Sequence, residues 1–179
     1  MYLFDPFSET GRTHRYNPLG YVREGHLTIP DILTIAEMLL PTDVGDATAK
    51  YFASSAQNLF LGLALYIKHR AELPFTVGEI LRQAKGKGKS FSEHAQSVLT
   101  DDSLDDACKE ALQTFLALDA DKGQSGVLNT LKSALMDWNN PLFDAATCAN
   151  DFDFHELRRK PMTVYIGVTP DYIPCRGAF

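Results

Sequence analysis

Cysteine is scarce. The 179-residue chain holds only Cys108, Cys148 and Cys175, an odd number at long spacings with no C-x-x-C. That pattern excludes a disulfide framework and a cysteine-based zinc site, and it fits a reducing compartment. Long hydrophobic runs are missing too. The longest, residues 59–67, falls well short of the ~20 residues that cross a bilayer. The first residues, MYLF running straight into Asp5-Pro6, lack the pattern of a signal peptide, so a soluble chain is expected. Positive charge is in deficit: 17 Lys and Arg stand against 23 Asp and Glu, a net charge of −6. A whole-surface grip on nucleic acid or anionic lipid is thereby disfavoured, which leaves room only for a local basic patch. Nine Pro and 12 Gly are too few for a collagen-like or linker-dominated chain, and 45% apolar with 22% charged residues is a globular composition.

Catalytic signatures are equally sparse. His14, His26, His69, His94 and His155 show no H-x₃-H or H-E-x-x-H spacing, so no local zinc site is expected. His155-Glu156 lacks the downstream P-C-x-x-C of zinc deaminases. There is no G-x-S-x-G, and no G-x-G-x-x-G behind a strand. Residues 86–90, GKGKS, look like the back half of a phosphate-binding P-loop, but the front glycine would fall on Gln83 and the preceding segment reads as helix. They read instead as a flexible basic linker ending at an N-cap, Ser90. No enzyme activity, cofactor or metal is expected.

What the sequence does contain is helical periodicity. The first 27 residues read as an extended arm, with a short apolar burst at Tyr2, Leu3 and Phe4 and breaks at Asp5-Pro6 and Asn17-Pro18. Pro30-Asp31 starts a helix that Pro41 stops. A longer one over about 48–70 carries Phe52, Ala56, Leu59, Phe60, Leu63 and Ile67 as one apolar stripe. Thr76 with Glu79, Ser90 with Glu93, and Ser103 with Asp106 each place a hydroxyl three residues before an acid, the spacing of a capping box. The third is expected to open a helix through Leu118, whose apolar face includes Cys108 as a buried thiol. That helix and its neighbour over about 123–138 are expected to form an antiparallel pair, closed by Asn139, Asn140 and Pro141. One helical turn is expected within 152–157. Residues 162–168, MTVYIGV, read as a nearly continuous buried strand. The fold class is therefore all-α: a bundle of about six or seven helices with short extended or β segments at both termini.

Charge is polarised along the chain. Residues 68–89 hold six Lys or Arg against two Glu, whereas residues 90–121 hold eight Asp or Glu against one Lys. Arg82, Lys85, Lys87 and Lys89 are the candidate contacts for DNA or another partner.

Phe4–Phe7 (FDPF) followed by residues 15–19 (RYNPL) resembles the FDP…YNPL segment of type IV secretion coupling proteins, the TraG/TraD class of conjugation ATPases. Tyr51-Phe52 with the apolar helix after it, residues 75–80 (FTVGEI), residues 157–168 (LRRKPMTVYIGV) and Pro170-Asp171 are similar to successive landmarks of the same family, in order. Residues 173–179 depart from its pattern, and its P-loop and Walker B acids have no counterpart here. The resemblance implies an all-α domain (28–157) inserted in a nucleotide-binding domain that supplies the arm (1–27) and the returning strand (158–179). It further implies a parent that is hexameric, anchored in the bacterial inner membrane and an ATPase. The domain would lie on the cytoplasmic side and receive relaxase, effector or accessory processing proteins, as an interaction module. A DNA-contacting helical module and a small uncharacterised soluble enzyme are the alternatives.

Overall fold

Residues 59–65, LFLGLAL, are apolar without interruption, and no single face of a helix accommodates such a run. In the computed structural model, which describes residues 1–8, 10–43 and 45–167, they form the middle of α2 (Ala47–His69), and all seven are buried. A helix apolar on every side belongs at the centre of a bundle. Around it pack α1 (Thr28–Leu39), α3 (Val77–Ala84), α5 (Asp106–Leu116) and α6 (Ser125–Ala134). α4 (Phe91–Val98) and α7 (Pro141–Ala146) complete the seven α-helices among the described residues. The all-α class is thus as expected.

α5 and α6 do not form the expected pair. Each takes α2 as its main partner, and a π-helical turn, Ala120–Gln124, links them. The reason is the all-round burial of α2, which offers both helices a better apolar surface than they offer each other. α5 approaches closely because Gly62 has no side chain: a Cβ there would stand 2.9 Å from that of Ala111. Cys108 donates its thiol to the Gly62 carbonyl at 3.3 Å, and burial pushes its ionisation up to about 11, as suits a structural thiol.

Local chemistry fixes most boundaries. Asp46 caps α2 by accepting from Ala49 N–H, with Lys68 and His69 in the last turn. Ser90 and Glu93 form a complete capping box on α4. The third expected box is absent. Ser103 donates instead to Asp101, and α5 starts at Asp106 with Asp105 in the N-cap position. Asn140 and Pro141 end one element but also begin another, since the Asn140 side chain accepts from Leu142 N–H and Pro141 occupies the first turn of α7. Arg23 grips Asp31 in the first turn of α1 through two side-chain bonds of 2.7 and 2.9 Å, and holds that carboxyl down at about 2.

β1 (Tyr2–Phe4) and β2 (Val164–Ile166) pair in parallel, Tyr2 opposite Val164 and Phe4 opposite Ile166. The strand expected over 162–168 is therefore shorter, and it is not buried: Tyr165 is 54% and Ile166 72% exposed. Among the described residues β1 is its one neighbour, and Tyr165 and Ile166 stay exposed to water. Val168, Pro170-Asp171, Cys175 and the tail at 173–179 lie outside the described residues. Among the described residues, the main hydrophobic cluster draws on none beyond Trp138. Deleting residues 161–179 is accordingly expected to leave a cooperative thermal melt and full helical circular dichroism, and loss of either would place β2 in the folding core.

Candidate functional site

The arm is tied down rather than loose. Arg15 clamps Asp151 through its guanidinium at 2.6 and 3.1 Å and its backbone N–H at 2.8 Å, and these bonds hold Asp151 below the usual carboxylate range. Asn17 and Asn150 bond reciprocally: Asn17 N–H donates to Asn150 Oδ1 at 2.7 Å, and Asn150 Nδ2 donates to the Asn17 carbonyl at 3.2 Å. The Asn17 side chain also donates to the Phe75 carbonyl and accepts from Leu19 N–H. Tyr16 stacks on Phe152 and meets Phe4 and Phe154 edge-on, while Leu19 is fully buried. The RYNPL segment is thus a clasp that joins β1, the start of α3 and the segment leading to β2.

The second feature is the basic edge at the end of α3. The chain leaves α3 at Lys85 and turns through Gly86, Lys87 and Gly88, all at positive φ, before Ser90 caps α4. No strand precedes this turn: it joins two helices. The structure gathers all four candidate cations there and gives them different neighbours. Arg82 donates to Glu79 at 2.6 Å and to Asp144 of α7 at 2.7 Å. Gly78 makes room for that carboxylate, since a Cβ there would fall 1.8 Å from Asp144 Oδ1. Lys87 pairs with Glu79 at 3.5 Å. Lys85 donates to the neutral Asn139 amide at 2.6 Å. Lys89 is exposed.

Beneath this edge lies a buried polar chain that the sequence did not announce. Glu79, Gln83 and His94 are 5%, 0% and 9% exposed. Gln83 Nε2 donates to Glu79 Oε1 at 2.6 Å, and His94 Nε2 lies 2.8 Å from Gln83 Oε1. Since a carboxylate only accepts, the amide orientation is fixed, and His94 must carry its proton on Nε2. Glu79 is turned inward, so it does not complete the capping box: Thr76 accepts from Glu79 N–H, but the Thr76 N–H goes to the Pro74 carbonyl. Burial pushes the His94 pKa below its ordinary 6.5, with Lys87 and Lys89 adding to the effect. The unfolded chain then binds more protons just below that pH, so stability falls as pH drops from about 6.5 towards the folded value. The urea midpoint is expected to fall between about pH 7 and pH 5, and His94→Gln, which keeps an amide donor for Gln83, is expected to flatten that fall.

Elsewhere the chemistry is quiet. His69 Nε2 reaches Ser103 Oγ at 3.1 Å, and Ser103 donates its proton to Asp101, so the imidazole serves the hydroxyl as a donor. Among the described residues no group of His, Cys, Asp or Glu is arranged to hold a metal, and no helix is long and apolar enough to cross a membrane.

A clasped arm, a bundle on one central helix and a parallel pair joining the two ends now stand together, and sequence relationships extend across all of them. The family model for type IV secretory system conjugative DNA transfer matches residues 1–177. The VirD4 proteins of Rhizobium radiobacter and Agrobacterium fabrum are each 28% identical to the chain over 96% of its length. The chain spans about a quarter of those relatives, 24% and 25% respectively. With nearly every residue matched, the chain belongs to the type IV secretory system conjugative DNA transfer family.

Proposed function

We propose that residues 28–157 are the substrate-receiving helical module of a conjugative type IV coupling protein, and that residues 1–27 and 158–179 belong to the nucleotide-binding domain that carries it. The observation that carries this reading is the parallel pairing of β1 with β2. It brings the two ends of the helical block together, as an insertion requires. Parallel strands are normally covered on both faces within a larger sheet. Here Leu3, Tyr165 and Ile166 are exposed, and Asp5 Oδ1, just beyond β1, is buried without a partner among the described residues. Both features are those of a sheet that continues. The parent is a hexameric ATPase anchored in the inner membrane, with this module on its cytoplasmic side. It receives relaxase, effector or accessory processing proteins there. Immobilised chain is expected to retain at least one of the purified cognate relaxase, processing proteins or effectors; retention of none would remove the reading.

The chain itself is proposed to bind no nucleotide, because a P-loop needs a strand before its glycine-rich turn and GKGKS follows α3. Calorimetric titration with Mg-ATP is expected to give no binding heat, and micromolar affinity would overturn this.

A second reading, contact with the transferred DNA, is favoured by the gathering of Arg82, Lys85, Lys87 and Lys89 on one edge. Sequence-independent phosphate contact needs no more than such local charge.

A further inference from the structure

The cations at the end of α3 are not equivalent. Arg82 and Lys87 share the buried Glu79 carboxylate, and Arg82 also holds Asp144. Pulling either outward would leave a buried charge short of a partner, which is costly. Lys85 is different: its partner, Asn139, is neutral, so the bond positions the ammonium without cancelling its charge. The same bond ties the end of α3 to the turn Met136–Asn139, just after α6. Lys132, half-buried in the last turn of α6, lies on a helix that packs against α3, next to the turn that Lys85 bonds. Burial, and then the nearby charge of Lys85, push its pKa down. Among the described residues, neither Lys85, Lys89 nor Lys132 has a carboxylate within ion-pair distance.

We infer that Lys85, Lys89 and Lys132 form one cationic surface for the phosphates of a nucleic-acid backbone, while Lys87 and Arg82 position it. This rests on the DNA reading above and names its residues, including one from α6 that lies far away in sequence. The turn between Lys85 and Lys89 contains only glycine and lysine, so it offers none of the aromatic or aliphatic anchors that hold protein partners. It does let a backbone approach closely, and lysine serves phosphate as a point charge. With a net charge of −6 on the whole chain, attraction is confined to short range, so binding is weak and steeply salt-dependent.

The test is a fluorescence-anisotropy titration of the full chain with a short labelled duplex of mixed sequence, from low salt upward. Neutralising each of Lys85, Lys89 and Lys132 to Gln is expected to lower the slope of log affinity against log salt by roughly 0.9 per lost phosphate contact. Lys87→Gln is expected to leave the slope unchanged, and Lys132→Arg to restore it. Melting curves separate lost binding from lost fold. An unchanged slope in Lys132→Gln, or a slope lowered by Lys87→Gln as much as by Lys89→Gln, would overturn the assignment. Equal binding of a polyglutamate peptide would overturn the phosphate specificity. A wild-type chain that ignores the duplex even at low salt would end both this inference and the DNA reading. It would leave the protein-receiving role, tested with purified proteins, untouched.

Discussion

Everything in the helical block depends on burying the middle of α2 from all sides. Seven consecutive residues, five of them Leu or Phe with Gly62 and Ala64 between, lose their contact with water there. Full burial of one Leu or Phe stabilises by about 1.5–3 kcal/mol, so this stretch of about two helical turns needs neighbours on every side. That requirement dictates the arrangement of α1, α3, α5 and α6 around it. It also dictates side-chain size. Gly62 and Ala111 are small where α2 and α5 approach, and Cys108 fills the adjoining space with a thiol that can bond the Gly62 carbonyl. A larger residue at 62 would push α5 outward and loosen its contact with the whole centre.

The sequence is a good guide where structure is decided locally, and a poor one where distant groups compete. α2 is legible to within a residue at each end because Asp46 and the Lys68-His69 pair sit at the termini that favour them. The Ser90 box is legible for the same reason. The Ser103 box fails because Asp101, two residues back, accepts the Ser103 backbone N–H that a box would give to Asp106. α7 was hidden because Asn-Pro reads as a stop, although the same pair suits a helix start. The short, exposed β2 was misread as buried because its sequence suits a sheet with more neighbours than the two-stranded pairing provides.

The candidate site divides in the same way. Arg82, Lys85, Lys87 and Lys89 are close in sequence, so their gathering was visible. The neutralisation of Arg82 and Lys87 was not. Glu79 lies one turn before Arg82, but nothing local says that its carboxylate points inward to Gln83 rather than back to cap its own helix. Asp144 comes from a different helix, 62 positions away, and Lys132 from yet another. In the sequence Gln83 stands out only as the wrong residue for a P-loop, whereas in the fold it is the fully buried link between Glu79 and His94.

Lys87 shows how the buried chain and the surface depend on each other. Its φ of 48° lies in the left-handed region, which costs a side-chain-bearing residue about 1–2 kcal/mol. Glycine precedes and follows it at similar angles, so a third glycine would make the same turn with less strain. A lysine stands at this position at a conformational disadvantage, and its ammonium lies 3.5 Å from Glu79, a carboxylate that is otherwise buried. The ion pair supplies the compensation, and in doing so it fixes the direction in which the turn exits towards Lys89 and α4. Glu79 in turn is oriented by Gln83, and Gln83 by His94, which sits on the helix that the turn leads into. The loop is therefore closed on itself: α4 holds His94, His94 orients the amide, the amide orients the carboxylate, and the carboxylate anchors the turn that delivers the chain to α4. A surface charge carried on such a turn is held in place by the interior and not by its own side-chain contacts, which is what leaves Lys89 free to meet a partner from solvent.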